Sequence, residues 1–256
     1  MNADFKIFNA SRYNEPKELL KFIVEENGDP SKYCNGMGST ALMAACEWGN
    51  IKCVKILLQH NADIHAVSAT FRNALMTCCF YGKYKCAKAL IKYGAKLDEV
   101  NKRGWTALMF ACARGHSKLV RLLLDSGANF EKKDRLGNRA IMIASVNGNW
   151  NIVHMLLDRG AVGIPTNNLD DTPWLAAVSQ GNIGTMSELI FKDAACTNYD
   201  LSSEKGIDFA LKLYATQHVS QINCYIKPPV PTVHPATARA NRKKKKKAAL
   251  AAGPKK

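Results

Sequence analysis

No stretch of this chain approaches the roughly 18 uninterrupted apolar residues that a bilayer-spanning helix needs, although 47% of its 256 residues are apolar. Membrane insertion is therefore not expected. The opening residues Met1 to Lys6 hold no basic region followed by an apolar core, so no secretory signal is expected and the chain is assigned to the cytoplasm, the nucleus or both. Motifs of several enzyme classes are also missing: there is no G-x-x-x-x-G-K-[ST], no H-E-x-x-H and no G-x-S-x-G. Gly36-Met37-Gly38 is a lone fragment of a Gly-rich motif, and the carboxylates are scattered. These absences predict no catalytic residues, no cofactor and no small-molecule substrate.

Metal chemistry and disulfides are missing their signatures too. The nine cysteines include no CxxC pair, and the six histidines show no ligand spacing against them. Cys46, Cys79 and Cys112 instead recur every 33 residues. A buried cysteine packs as a small hydrophobe, so free thiols in a reducing compartment are expected.

That 33-residue interval runs through most of the chain. One column holds Thr40, Asn73, Thr106, Arg139 and Thr172; the next two hold Ala41, Ala74, Ala107, Ala140, Pro173 and Leu42, Leu75, Leu108, Ile141, Trp174. Gly49, Gly82, Gly115, Gly148 and Gly181 form a fourth without exception. Each column has a physical reading. Thr or Asn caps the orphan N–H groups at the start of a first helix. The small residues Ala45, Cys78, Ala111, Ala144 and Ala177 let helices approach closely. The glycine suits a left-handed helix end. A second helix carries an apolar stripe such as Val120-Leu123-Leu124 and stops at Gly94, Gly127 or Gly160. One such unit cannot bury its apolar face alone, so the copies must stack.

Gly104-Trp105-Thr106-Ala107-Leu108-Met109, Ala111, Gly115-His116, Val120 to Leu124 and Gly127-Ala128-Asn129 resemble an ankyrin repeat. The resemblance covers roughly residues 5–226 and implies an all-α solenoid of helix-turn-helix repeats joined by hairpin-like loops. The expected organisation is an N-terminal capping repeat over 1–34, five full repeats over 35–199, a C-terminal capping repeat over 200–226, and a linker with a disordered tail over 227–256. Where the family usually has histidine, this chain has Met43, Met76, Met109, Met142 and Leu175, so apolar packing is expected to replace a hydrogen bond. Phe71 stands where three other copies have glycine, and Asn61 replaces a helix-ending glycine. Both predict an irregular joint between the first and second full repeats. Asp170, Asp193 and Gly184 make the fifth repeat the weakest expected copy.

Members of the family generally bind partners along the concave side of the stack. Transferring those positions here selects Trp48, Arg72, Phe80, Tyr81, Arg103, Trp105, Arg114 and Arg135 as candidate partner-binding residues, arginine and aromatic side chains being enriched among interface hot spots. Two readings stand. The aromatics form a contact strip across repeats one to three, or they pack between neighbouring loops and shield the stack.

The net charge of +15 is uneven. Residues 239–256 hold nine basic residues and no acid, leaving 27 basic against 21 acidic residues in the first 238. Pro228, Pro229, Pro231 and Pro235 end the helical pattern, and the low-complexity segment after them is expected to be disordered. Its run Arg242, Lys243, Lys244, Lys245, Lys246 and Lys247 resembles a nuclear localisation signal read by an import receptor. It equally suits a nucleic-acid phosphate backbone, an acidic membrane or protein surface, or plain solubility. Two functions follow: a protein-interaction scaffold whose basic tail serves nuclear targeting or polyanion binding, or a nucleic-acid-associated or ribonucleoprotein component anchored by that tail.

Overall fold

A computed structural model describes residues 3–32, 35–161 and 166–192, all within the first of two compact units, Met1–Tyr214 and Ala215–Lys256. The expected C-terminal cap (200–226), the linker and the basic tail lie outside the described residues, as do Cys34 and Asp193.

The described residues form twelve helices and no strand, and the helices follow one another as pairs. The first pair is α1 (Ala3–Tyr13) and α2 (Pro16–Val24). The full repeats follow as α3 (Ala41–Trp48) with α4 (Ile51–Gln59), and α5 (Ala74–Tyr81) with α6 (Tyr84–Lys92). Then come α7 (Ala107–Ala113) with α8 (Ser117–Asp125), α9 (Ala140–Val146) with α10 (Trp150–Asp158), and α11 (Pro173–Ser179) with α12 (Ile183–Lys192). First helices pack on first helices and second helices on second helices, giving two layers. This is the all-α ankyrin-type solenoid expected from the columns.

The first helices are short and nearly all inside. In α3, α5, α7 and α9 the first six residues are buried without exception, because each helix is covered by its pair and by both neighbours. Ala45, Cys78, Ala111, Ala144 and Ala177 are completely buried; a larger side chain there would hold the layers apart. Second helices bury one stripe only, such as Leu119, Val120, Leu123 and Leu124 in α8, and turn their other side outward.

Capping follows the sequence column by column. The side chains of Thr40, Asn73, Thr106 and Thr172 accept the N–H three residues on, from Met43, Met76, Met109 and Leu175. Arg139 occupies that place in the fourth repeat and makes no cap. Its Nε lies 2.8 Å from Glu131 Oε2, an ion pair whose angle is too poor for a hydrogen bond. The methionines are buried, and Met109 differs from the expected purely apolar role: its sulfur accepts the Thr106 N–H at 3.5 Å.

Successive repeats are tied by backbone and by asparagine. The side-chain amides of Asn50, Asn149 and Asn182 reach back to the last carbonyls of the preceding first helix: Ser11 and Arg12, Cys112, and Ser145 and Val146. These are carbonyls that a helix end otherwise leaves unpaired. Gly115 shows why that helix end must be glycine. Its φ is +73°, and a Cβ there would lie 2.8 Å from Asn149 Oδ1.

The hairpin loops share one geometry. The N–H of Asn35, Ser68, Asn101, Asp134 and Asn167 donates to the carbonyl four residues on, and their own carbonyls accept the N–H three residues on. Phe71, with φ +59°, takes the same left-handed turn as the glycines, so the expected irregularity of its own loop is not found. The same holds for Asn61, whose φ is also +59°; asparagine tolerates this region. The departure lies one step further along. Backbone bonds link neighbouring tips at Ala69–Met37, Arg135–Arg103 and Asn168–Leu136, but none joins the tip at Phe71 to the next one. The Lys102 ammonium instead stands 4.7 Å from the centre of the Phe71 ring. In the fifth repeat α12 runs through Gly184 unbroken.

Cys46, Cys79 and Cys112 are free and buried, as their 33-residue spacing predicts, and so are Cys53, Cys78 and Cys86. Burial pushes the thiols of Cys79 and Cys112 well above the ordinary cysteine value and that of Cys53 up to about 11. Cys86 is lowered by its hydrogen bond with Cys78.

Two outcomes follow from the packing. Arg139→Thr installs the missing cap, worth about 1 kcal/mol less the small contribution of a part-exposed ion pair, so urea unfolding should show a net gain of about 0.5 kcal/mol. Thiol alkylation of the native chain at neutral pH, mapped by mass spectrometry, should leave Cys79 and Cys112 unmodified until the stack unfolds.

Candidate partner-binding site

The centre of the candidate site is Phe80, near the C-terminal end of α5. The Arg72 guanidinium carbon lies 5.1 Å from the centre of its ring and that of Arg114 lies 4.0 Å away. Arg72 comes from the loop before α5, and Arg114 caps the end of α7. The site therefore spans two repeats. A cation over an aromatic face is attracted by the ring quadrupole, which holds two like charges near one another on a shared support.

Around this centre the rings meet edge to face. Phe80 contacts Tyr81 at 5.0 Å and Phe110 at 5.9 Å between centroids, and Phe110 contacts Trp105 at 5.2 Å. Phe110 is buried and supports the rings above it. Tyr81 is 39% exposed. Burial, followed by a hydrogen bond to Glu47, raises its phenol above the ordinary tyrosine value, while Arg72 and Arg114 act in the opposite direction. The hydroxyl is therefore a neutral donor and acceptor beside two fixed cations.

Trp105 plays a different part. It is half-buried against the core, not solvent-facing as its sequence position suggests. Its indole Nε1 donates to Asp134 Oδ2 at 3.1 Å. Asp134, itself buried, also accepts the N–H groups of Leu136 and Asn138 at 2.9 and 2.8 Å. Trp105 thus fastens one loop to the next. Phe80 is half-buried too.

Trp48 is 55% exposed and belongs to a second group, with the Arg12 guanidinium 5.9 Å from its ring and 5.7 Å from that of Tyr13. Among the described residues no ring contact joins Trp48 to the Phe80 group. Arg103 and Arg135 are exposed on adjacent loop tips that are bonded through the Arg135 N–H and the Arg103 carbonyl at 3.0 Å. The structure therefore gathers Arg72, Phe80, Tyr81 and Arg114, attaches Trp105 beneath them through Phe110, and leaves Trp48, Arg103 and Arg135 at the margins. Arg12, Tyr13 and Phe110 were not selected from the sequence. Phe110 has the sequence signal of a core residue, and Arg12 and Tyr13 lie in the cap, where the 33-residue columns do not reach.

A groove of about 360 Å³ lies further along, between Asn138, Met142 and Val146 on one repeat and Asp171, Leu175 and Ser179 on the next. Asn167 bridges it, donating to Asn138 and Asp171 at 3.0 and 3.2 Å. Its polar groups satisfy one another. Among the described residues no cluster of three or more His, Cys, Asp or Glu has the arrangement to hold a metal ion, and no helix is long and apolar enough to cross a membrane.

Stacked helix pairs with an arginine-flanked aromatic centre on their loop side define a helical repeat solenoid of the kind that presents a surface to macromolecules. The family model for ankyrin repeats, built as three copies, matches residues 7–101 and again residues 75–168. The chain belongs to the ankyrin-repeat family. Ankyrin repeats are generally protein–protein interaction modules, and proteins built from them are typically non-enzymatic scaffolds. No curated protein matches the chain.

The two tryptophans separate by experiment. Trp105→Ala removes a packed ring and one of the two donors to Asp134 Oδ2, the Asn138 amide at 3.2 Å remaining, and should lower stability in urea by about 2–4 kcal/mol. Trp48→Ala should stay within about 0.5 kcal/mol of the parent.

Proposed function

We propose that this chain is an interaction scaffold that holds a protein partner on its first-helix and loop face, centred on Phe80 and Tyr81 between Arg72 and Arg114. The observation that carries this reading is the paired guanidiniums over Phe80, anchored to a buried ring and bordered by an exposed tyrosine. Preorganised arginine and aromatic groups lose little freedom on binding and are the residue types that dominate interface energetics. Their chemistry favours a partner segment that brings a carboxylate to the guanidiniums and an apolar or aromatic side chain to Tyr81. Arg103 and Arg135 extend the positive potential along the loop tips, which speeds encounter with an acidic partner more than it tightens the complex.

The basic run Arg242 to Lys247 is assigned a separate role, nuclear targeting through an import receptor or attachment to a polyanion, in a chain placed in the cytoplasm, the nucleus or both. Its composition supports this: six consecutive cations with no interleaved aromatic residue to read bases.

The test uses substitutions that leave the fold alone. Tyr81→Ala with Arg114→Gln should weaken capture of the specific protein partner by at least about tenfold while the melting curve stays unchanged. Deleting residues 236–256 should keep that binding and alter cellular location. Unchanged capture by the double variant would overturn the site, and unchanged location would overturn the tail's targeting role.

A further inference from the structure

The helices on the opposite layer carry an order that the overall charge conceals. On α4, α6 and α8 the outward positions recur at the repeat interval: Lys52, Lys85 and Lys118 form one row, and Lys55, Lys88 and Arg121 form a second. All six are exposed, and Lys92 adds a seventh cation on α6. In each helix the two rows lie three residues apart, on the side opposite the buried stripe, for example opposite Cys86, Ala87 and Leu90 in α6. Neighbouring helices pack about 8–10 Å apart, so each row extends along the stack for about 20 Å.

This grid is not neutralised. Among the described residues, none of the seven cations forms an ion pair with a carboxylate; the one polar contact is from Arg121 to the Met155 sulfur at 3.9 Å. The only acid on these three helices is Asp125, which is held by Arg159. The grid has clear ends. On α2 the acid Glu18 joins Lys17 and Lys21, and on α10 the corresponding positions become Asn151 and His154, the latter paired with Asp158 and Glu188.

We infer that this face of α4, α6 and α8 is a docking surface for the phosphate backbone of a nucleic-acid duplex. Three observations select that occupant. Six of the seven cations are lysine, a point charge suited to phosphate and depleted from protein–protein interfaces. No exposed aliphatic residue stands among them, whereas a membrane-surface helix inserts apolar side chains between its lysines. The exposed aromatics nearby, Tyr84 and Tyr93, sit at opposite ends and opposite sides of α6, so successive bases of a single strand find no platform in line. A duplex presents a charge about every 1.7 Å of its axis, and regularly spaced rows of cations meet that density without needing sequence contacts. This surface is distinct from the loop face around Phe80 and from the tail.

The experiment uses the full chain, a duplex DNA probe of about 20 base pairs, the same DNA as a single strand, and vesicles containing phosphatidylserine. Lys55→Gln, Lys88→Gln and Arg121→Gln are combined in one variant; Lys52→Gln, Lys85→Gln and Lys118→Gln form a second. Both triples are also made in a background whose Arg242 to Lys247 are glutamine. Each triple should weaken duplex binding at least about tenfold near 0.1 M salt and flatten the log K against log salt slope by about 2 to 3, in both backgrounds, with unchanged melting. Unchanged affinity and slope would overturn the inference, as would loss of all duplex binding on neutralising the tail alone. Equal or tighter binding to the single strand, or an effect confined to vesicles or to an acidic protein, would overturn the choice of occupant. Substituting Arg72 and Arg114 should leave the duplex slope unchanged, which separates failure here from failure at the loop face.

Discussion

Everything in this molecule depends on how closely one first helix can lie against the next. Ala45, Cys78, Ala111, Ala144 and Ala177 have no exposed surface at all, and the space they leave is what brings Asn50, Asn149 and Asn182 within reach of the preceding helix's last carbonyls. Cooperativity is therefore built from neighbour contacts alone. A larger residue at Ala45, Ala144 or Ala177 would cost its own strain and would also disturb the amide that satisfies a helix end.

The same constraint sorts charge and aromatic surface onto two layers. Because first helices are almost wholly buried, only their ends and the adjoining loops can present side chains, and there the arginines gather over Phe80. Second helices keep a whole side free, and on α4, α6 and α8 it is filled with lysine and one arginine. A stack built in this way can hold different kinds of partner on opposite faces, since groups that repeat every 33 residues in sequence fall into lines in space. Neither face competes with the other for residues.

Much of this was legible in the sequence because the columns record it. Thr40, Asn73 and Thr106 announce caps, the glycine columns announce left-handed helix ends, and the buried cysteines share their spacing. What escaped has a common cause: it depends on residues from adjacent copies meeting at positions that are not equivalent. Trp105 finds Asp134 from the next loop, and Phe80 finds Phe110 and Arg114 from the next helix pair; no column pairs them. The uncapped helix at Arg139 was visible as a break in a column, whereas its contact with Glu131 was not. The lysine rows were hidden differently. Summed over the first 238 residues, acids placed elsewhere offset them, and a modest total concealed a face with one acid among eight charges.

The missing bond between the tip at Phe71 and its successor bears on how this stack deforms. Three of the four junctions between the described loop tips are riveted by backbone hydrogen bonds; the fourth is held by an ammonium resting on a ring, a contact that tolerates sliding. Arg72 stands on one side of that junction and Arg114 on the other, both bearing on Phe80. A ligand that took both guanidiniums would therefore bridge the one described junction whose loop tips share no backbone hydrogen bond.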